Sequence, residues 1–534
     1  MSQHASPHWA DVHADRIVRE KGPKEQYTCA SGITPSGVVH IGNFREIISV
    51  DLVVRALRDR GEAVRFIYSW DDYDTFRKVP KGLPRKEMLE EHLRRPIVDI
   101  PDPWGKESSY ARANEAELET LLPEVGIEPE YIYQAQRYRA SDYAEGIRRA
   151  LEHRDEIRRI LNKHRKEPLG DEWWPITIFS SFSNRDNTTV LNWDGAYGIT
   201  YRCNDTGQEE TVDLRSTGVV KLLWRVDWPM RWREEGVDFE PAGKEHHSAG
   251  GSFDTAKEIC EEVYGIAAPV TFKYDFISIK GMGGKISSSL GNVVSLRDAL
   301  EVYQPEVIRY LFAGTKPNSE FAVSFDLDVI KIYEDYDKSE RIYYGLEEVG
   351  EKRRAKEARI YELSQVHALT DEEKASPPVQ VPFRHLCNVL QIHAGNVDAA
   401  LHAIPGTADV SSRRWERLRR RGECAWKWTQ GYAPEEFRFT LRSEDDEPVE
   451  LDAATLAALR ALRAEIAEHL DEHDEKSLNT RIYDVAREAG LDPKEFFTSM
   501  YRVLVGKDHG PRLAGFIYTI GRDRILSILN SYGE

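Results

Sequence analysis

Two short runs carry groups able to handle a phosphate chain. His40-Ile41-Gly42-Asn43 opens a helical pattern directly after the turn Gly32-Ile33-Thr34-Pro35-Ser36-Gly37. An imidazole donor and a glycine that admits close backbone approach, set at a helix N-terminus with free N–H groups and the positive dipole end, suit a triphosphate. The loop Lys280-Gly281-Met282-Gly283-Gly284-Lys285-Ile286-Ser287-Ser288-Ser289 adds a cation and consecutive hydroxyls for charge developing on a departing pyrophosphate. Each run alone is common, since His-x-Gly is expected about once by chance in a chain this long. Their pairing, each after a strand and before a helix, is specific.

The elements that position them form an α/β rhythm. Gln26–Ser31 is predicted as a strand and Ile41–Arg60 as a helix, with Phe44, Ile47, Ile48, Leu52 and Val53 on one face and Gly61 just past its end. Ala63–Ser69 is a second strand, which makes one β-α-β unit with parallel strands. From Arg85 to Trp224 polar helices such as Ser141–Lys166 and aromatic loops interrupt the rhythm, as an insertion would. It resumes with strand Val237–Ala242, helix Phe253–Tyr264 capped by Ser252, strand Val270–Ile279, and helix Ser295–Tyr303 with Ser295 and Asp298 as a capping box. Pro305 and Gly314 bracket another helix. Beyond about residue 330 charged amphipathic segments dominate, and they read as an all-α region.

The chain has 534 residues, enough for three to four domains at ~150 residues each, and its hydrophobic fraction of 40% excludes a disordered chain. A net charge of −18 argues at first against a nucleic-acid partner. No run approaches the ~18 apolar residues of a membrane span, and no apolar leader opens the sequence. Cys29, Cys203, Cys260, Cys387 and Cys424 are scattered, which supports neither disulfides nor a zinc site and points to a reducing cytoplasm.

Thr34-Pro35-Ser36-Gly37-Val38-Val39-His40-Ile41-Gly42-Asn43 resembles the H-I-G-H element of class I aminoacyl-tRNA synthetases, with Asn43 in place of the final histidine. Lys285-Ile286-Ser287-Ser288-Ser289 resembles their K-M-S-K-S loop, with Ser288 in place of the second lysine. Those departures, with Ser69-Trp70-Asp71-Asp72-Tyr73-Asp74 and Gly243-Lys244-Glu245-His246-His247, resemble the class I lysyl-tRNA synthetase family in particular. The resemblance implies a Rossmann-type parallel-sheet catalytic domain in two halves (1–84 and 225–290), an inserted connective domain that reaches the acceptor stem (85–224), a stem-contact region (291–350) and an α-helical anticodon-binding domain (351–534).

The implied reaction joins lysine to ATP as lysyl-adenylate and passes the lysyl group to the 2′-hydroxyl of the terminal adenosine of tRNA-Lys. It implies catalytic roles for His40, Asn43 and Lys285, and contacts to ATP from Pro35, Gly37, Gly42, Ser287, Ser288 and Ser289. Glu245 and His246, by position after a strand, are expected at the adenosine ribose. Gly32 and Thr34 are implied at the α-amino end of lysine, and Trp228, His247 and Tyr274 around its side chain. Asp71 and Asp72 follow the second strand and so lie at the catalytic edge of the sheet. The implied partners are ATP with Mg²⁺, lysine and tRNA-Lys, for a cytoplasmic monomer without a membrane.

Some family members carry cysteine pairs in the insertion. Here Cys203 stands alone there and cannot complete a tetrahedral zinc site. The 148–166 segment, with Arg148, Arg149, Arg158, Arg159 and Lys163, is expected to meet the acceptor stem, and 352–359 and 413–421 are further basic stretches. A glutamyl-type class I synthetase and a catalytically silent tRNA-binding paralogue are the alternatives.

Overall fold

The computed structural model describes residues 8–280 and 294–533. Lys285, Ser287, Ser288 and Ser289 lie outside the described residues. The chain divides into two compact units, Met1–Ala299 with Pro305–Val323 and Gly345–Thr370, and Leu300–Gln304 with Ser324–Tyr344 and Asp371–Glu534.

The first unit is built on a parallel sheet. After helix α1 (Trp9–Lys21) come β1 (Tyr27–Ile33), α2 (Ile41–Arg58) and β2 (Val64–Trp70), and β1 pairs with β2 in parallel from Tyr27↔Val64 to Ile33↔Trp70. Helix α3 (Tyr110–Leu121) leads to β3 (Glu130–Tyr133), which adds on the far side of β2. On the free side of β1, Phe239 bridges both Cys29 and Val270 in parallel, and the Ala30 amide donates to the Phe239 carbonyl at 2.8 Å. The order β3-β2-β1, then 238–243, then 270–274, is that of a Rossmann-type sheet. The apolar face read from the sequence packs α2 onto it, with Phe44, Ile47, Ile48, Leu52 and Val53 all buried. Gly61 takes φ 84°, a left-handed conformation natural to glycine.

The inserted segment holds α4 (Ala144–Glu152), α5 (Arg154–Asn162) and two small antiparallel sheets. In these sheets β4 (Ile176–Ile178) pairs with β8 (Val220–Leu222), and β5 (Thr188–Trp193), β6 (Gly198–Cys203) and β7 (Glu209–Asp213) form a meander. All five cysteines are buried free thiols. Then come α6 (Trp224–Glu235), β9 (Ala242–Gly243), α7 (Ser252–Glu262), β10 (Lys273–Tyr274), β11 (Ile277–Ile279), α8 (Pro305–Gly314) and β12 (Phe321–Val323), with β9 on β10 and β11 on β12, both parallel.

Two local expectations shift. Strand 270–279 is broken at Asp275-Phe276, because both of their carbonyls accept from the buried Arg45 guanidinium (2.8 and 3.2 Å). Ser252 is the first residue of α7 rather than its cap, which is Gly251; its hydroxyl pairs with His246 Nδ1 at 2.6 Å. The Ser295–Asp298 capping box forms as read, with Asp298 Oδ2 accepting from the Ser295 amide at 2.8 Å and Ser295 Oγ from the Asp298 amide at 3.2 Å.

Among its described residues the second unit contains helices and no strand. These include α9 (Asp328–Tyr343) and, past α10 (Glu351–Ser364) of the first unit, α11 (Ser412–Gly431). The helices after residue 450 close on Leu459, Leu462, Ile482, Phe496, Met500 and Ile517.

Behind the sheet, Glu115 on α3 is 3% exposed and its Oε1 has no hydrogen-bond partner. Burial and the nearby Asp72 charge push its carboxyl up to about 8. A carboxyl raised this far binds a proton more readily folded than unfolded, so its contribution is full below about pH 4.5 and is lost as pH rises through about 8. Glu115→Gln should therefore nearly match wild type in urea unfolding near pH 5 and exceed it near pH 9 by a few kcal/mol, up to about 4. An equal difference at both pH values would contradict this.

Candidate active site

A cavity of about 740 Å³ opens at the C-terminal ends of β1 and β2, where ligands of open α/β sheets bind. One wall is the start of α2. His40 is its N-cap, and the pair closes a reciprocal box: His40 Nδ1 accepts from the Asn43 amide at 3.2 Å, and Asn43 Oδ1 accepts from the His40 amide at 3.4 Å. Asn43 thus has a structural reason at its position, since it fixes the imidazole over the free end of the helix. The chain emerging from 281–293 lies against this element: the Ile41 amide donates to the Val294 carbonyl at 2.9 Å, and His40 bridges Ser295.

Gly42 is tight. A Cβ there would stand 2.9 Å from the His40 ring. With the ATP role that the sequence implies for this element, Gly42→Ala should leave the helix as stable or slightly more so, yet displace the imidazole and lower kcat/KM for ATP by about 10²-fold, the cost of a misplacement near 1 Å. A variant with unchanged ATP kinetics would show that this close approach has no catalytic role. Gly32 is equally constrained, because a Cβ would meet the Ser69 carbonyl of β2 at 2.7 Å.

The floor of the cavity is Glu46, which reading the sequence missed. It sits one turn beyond Asn43, and its Oε1 accepts from Ser31 Oγ at 2.8 Å and from the Gly32 amide at 3.3 Å. Tyr274 donates its hydroxyl to Oε2. Burial pushes the Glu46 carboxyl up. The available signal was a charged pair, Arg45-Glu46, inside an otherwise apolar helical face. Arg45 is spent on structure, donating to five backbone carbonyls.

A buried ion network forms the side wall. Asp71 pairs with Arg231 at 2.6 Å, Arg231 with Asp227 at 3.4 Å, Asp227 with Lys221 at 3.3 Å, and Lys221 with Asp74 at 3.1 Å. Thr34 Oγ1 donates to Asp74 at 2.7 Å. Burial works against the charge on Lys221, but Asp227 and Asp74 outweigh it and hold the ammonium well above its ordinary range.

The expected site residues divide. Gly32, Thr34, Asn43, Asp71, Glu245, His246 and Tyr274 line the cavity. Asp72 turns away from it, accepting from the Ala135 amide at 2.7 Å. Trp228 lies under Trp224, with ring centroids 5.0 Å apart, and donates to Glu240 at 3.1 Å; Trp224 is the one at the cavity. His247 Nε2 pairs with Thr271 Oγ1 at 3.3 Å, outside the lining, while its neighbour His246 faces in. Pro35 is buried, its carbonyl accepting from Asn114 at 3.3 Å, and Gly37 is half-buried on the same turn. Among the described residues no cluster of three His, Cys, Asp or Glu side chains could hold a metal.

The arginines of the insertion are engaged within the unit. Arg148 pairs with Glu145 at 2.7 Å and with Glu152 at 3.2 Å, Arg158 with Asp155 at 3.2 Å and also with Asp171. Arg159 on α5 and Lys163 at its C-cap clasp Glu262 and Glu258 of α7, and Arg149 donates to the Val263 carbonyl.

Residues 7–367 match the family model described as tRNA synthetases class I (K). The chain belongs to that family. A lysine–tRNA ligase of Treponema pallidum is 52% identical over 99% of both chains, and one of Borreliella burgdorferi is 51% identical over 98% of this chain and 99% of its own. A lysine–tRNA ligase of Pyrococcus horikoshii is 41% identical over 98% of this chain and all of its own. No helix among the described residues is long and apolar enough to cross a membrane.

Proposed function

We propose that this protein is a lysine–tRNA ligase that activates lysine with ATP and esterifies the 2′-hydroxyl of the terminal adenosine of tRNA-Lys. The observation that carries the amino-acid choice is the half-buried Glu46 carboxylate, held by Ser31, Gly32 and Tyr274 at the floor of the cavity. A carboxylate so placed suits the ε-ammonium of lysine, which restores the charge balance that burial opposes. Asp74 beside Thr34, and Asp71 at the same edge, suit the α-ammonium.

In the first step a lysine carboxylate oxygen attacks the α-phosphorus of ATP. The bond to the bridging oxygen breaks and pyrophosphate leaves. The chemistry is positioning plus stabilisation of phosphate charge. His40, Gly42 and Asn43 at the N-terminus of α2 receive the phosphates, with Pro35 and Gly37 shaping the turn, and Glu245 and His246 receive the ribose. Lys285, the only cation of its motif, with Ser287, Ser288 and Ser289, takes the leaving pyrophosphate. Mg²⁺ arrives with ATP. In the second step the 2′-oxygen attacks the lysyl carbonyl and AMP departs. The inserted domain serves the acceptor stem, and the helical unit serves the anticodon, in a cytoplasmic monomer.

The test is charging of tRNA-Lys that ends in 2′-deoxyadenosine or in 3′-deoxyadenosine. Lysine should enter only the 3′-deoxy form. Charging of the 2′-deoxy form, or of neither while intact tRNA-Lys also stays uncharged, would refute the reading.

A further inference from the structure

The basic stretches of this acidic chain are not equivalent. In the 413–421 stretch the cations are consumed inside the second unit: Arg413 pairs with Glu373 at 3.0 Å, Arg417 with Glu340 at 2.6 Å and Arg421 with Asp337 at 2.5 Å. In the 148–166 stretch Arg148, Arg158, Arg159 and Lys163 have carboxylate partners and Arg149, Arg154 and Arg165 donate to backbone carbonyls, which leaves Lys166 alone without a partner among the described residues. Lys352, Arg353, Arg354 and Lys356 differ. All are exposed, and among the described residues none has an ion pair or a side-chain hydrogen bond.

They sit where folding alone would not put them. They occupy the first two turns of α10, the positive end of the helix dipole, and Lys352 and Lys356 are like charges one turn apart. Each cation there costs roughly 0.3–1 kcal/mol, and the repelling pair a few tenths more. Local rules broken without structural compensation mark functional positions. The C-terminal half of the same helix is firmly held: the Leu363 carbonyl accepts from the fully buried Arg309 at 3.1 Å, and Arg359 pairs with Asp11 at 2.9 Å and Asp59 at 2.8 Å. The unpaired cations thus project from a rigid base. Lys352 and Lys356 are about 6 Å apart along the axis, so with Arg353 they can reach successive phosphates of a strand.

We infer that the N-terminal half of α10, through Lys352, Arg353, Arg354 and Lys356, is a phosphate-backbone anchor for the tRNA. This rests on the tRNA ligase reading but assigns the contact to a different surface from the insertion. Free cations release the counterions of a polyanion on binding, whereas cations already neutralised by carboxylates contribute little to that effect.

The test compares tRNA-Lys binding by wild type, by K352Q/R353Q/R354Q/K356Q and by R158Q/R159Q/K163Q between 50 and 300 mM salt. The α10 variant should bind about tenfold or more weakly at 150 mM and lower the salt slope by about two or more, with the ion-paired set changing less. Its melting temperature should not fall, and its kcat at saturating tRNA should equal that of wild type. Wild-type affinity and slope in the α10 variant, or a larger loss in the insertion variant, would overturn the anchor while leaving the ligase reading intact. Failure of wild type itself to charge tRNA-Lys would instead refute the ligase reading, and the anchor with it.

Discussion

Glu46→Gln should lower kcat/KM for lysine by about 10²-fold, mostly through KM, with KM for ATP within a factor of three. The change removes one charge and keeps the shape, so Ser31, Gly32 and Tyr274 can still hydrogen-bond the side chain. What is lost is a charge-assisted bond to the ε-ammonium, worth about 1.5–3 kcal/mol, or roughly 10- to 150-fold. Stability should move the other way. Burial pushes the Glu46 carboxyl up, so the ligand-free protein bears a cost that glutamine lacks, and the variant should unfold at the same urea concentration or a higher one. Steady-state kinetics with lysine varied at saturating ATP check the first part. Unchanged lysine kinetics would remove Glu46 from the substrate site.

Arg231→Met should destabilise the first unit by about 3–5 kcal/mol, the usual cost of leaving buried charge without its partner. Arg231 stands between Asp71 and Asp227, at 2.6 and 3.4 Å, and both carboxylates are buried. Lys221 can answer one of them only in part, being shared with Asp74 at 3.1 Å. Burial tends to lower the Arg231 guanidinium, but the two carboxylates raise it well above its ordinary range, so the network holds as a charged unit. The double variant D71N/R231M should recover part of the loss, because it removes a charge along with its partner. Urea unfolding of both variants measures this. Strict additivity would mean that the pair is not coupled.

Much of the frame is legible in the sequence. The β1-turn-α2 unit, the apolar face of α2 and the Ser295–Asp298 box all rest on interactions within a few residues, which spacing reveals. The misses depend on contacts distant in sequence. Nothing local says that Arg45 will take the carbonyls of Asp275 and Phe276 and break a strand there. Nothing local says that Arg159 and Lys163 will find Glu262 and Glu258 on another helix. The insertion's meander hides because its strands are short and only the middle one shows a clear alternation, with Ile199, Tyr201 and Cys203 on the buried face. Within the site, a shift of one position or one helical turn decides which side chain faces the cavity: His246 rather than His247, Trp224 rather than Trp228, Asp71 rather than Asp72. Motif matching finds the neighbourhood, while the facing residue follows from packing. Glu46 escaped because a carboxylate inside an apolar helix start resembles half of a surface ion pair until its place in the cavity is seen.

The net charge of −18 also acquires a narrower meaning. Five of the six arginines at 413–421 and four of the eight basic residues at 148–166 are already matched to acids, so α10 carries the densest group of unmatched cations among the described residues of the three basic stretches. An acidic remainder discourages non-specific RNA binding.

Amino-acid-dependent exchange of labelled pyrophosphate into ATP, run with all twenty amino acids with and without tRNA-Lys, tests the central claim most directly. Lysine alone should support exchange. Exchange with glutamate in place of lysine, or none with any amino acid even when tRNA is present, would contradict it.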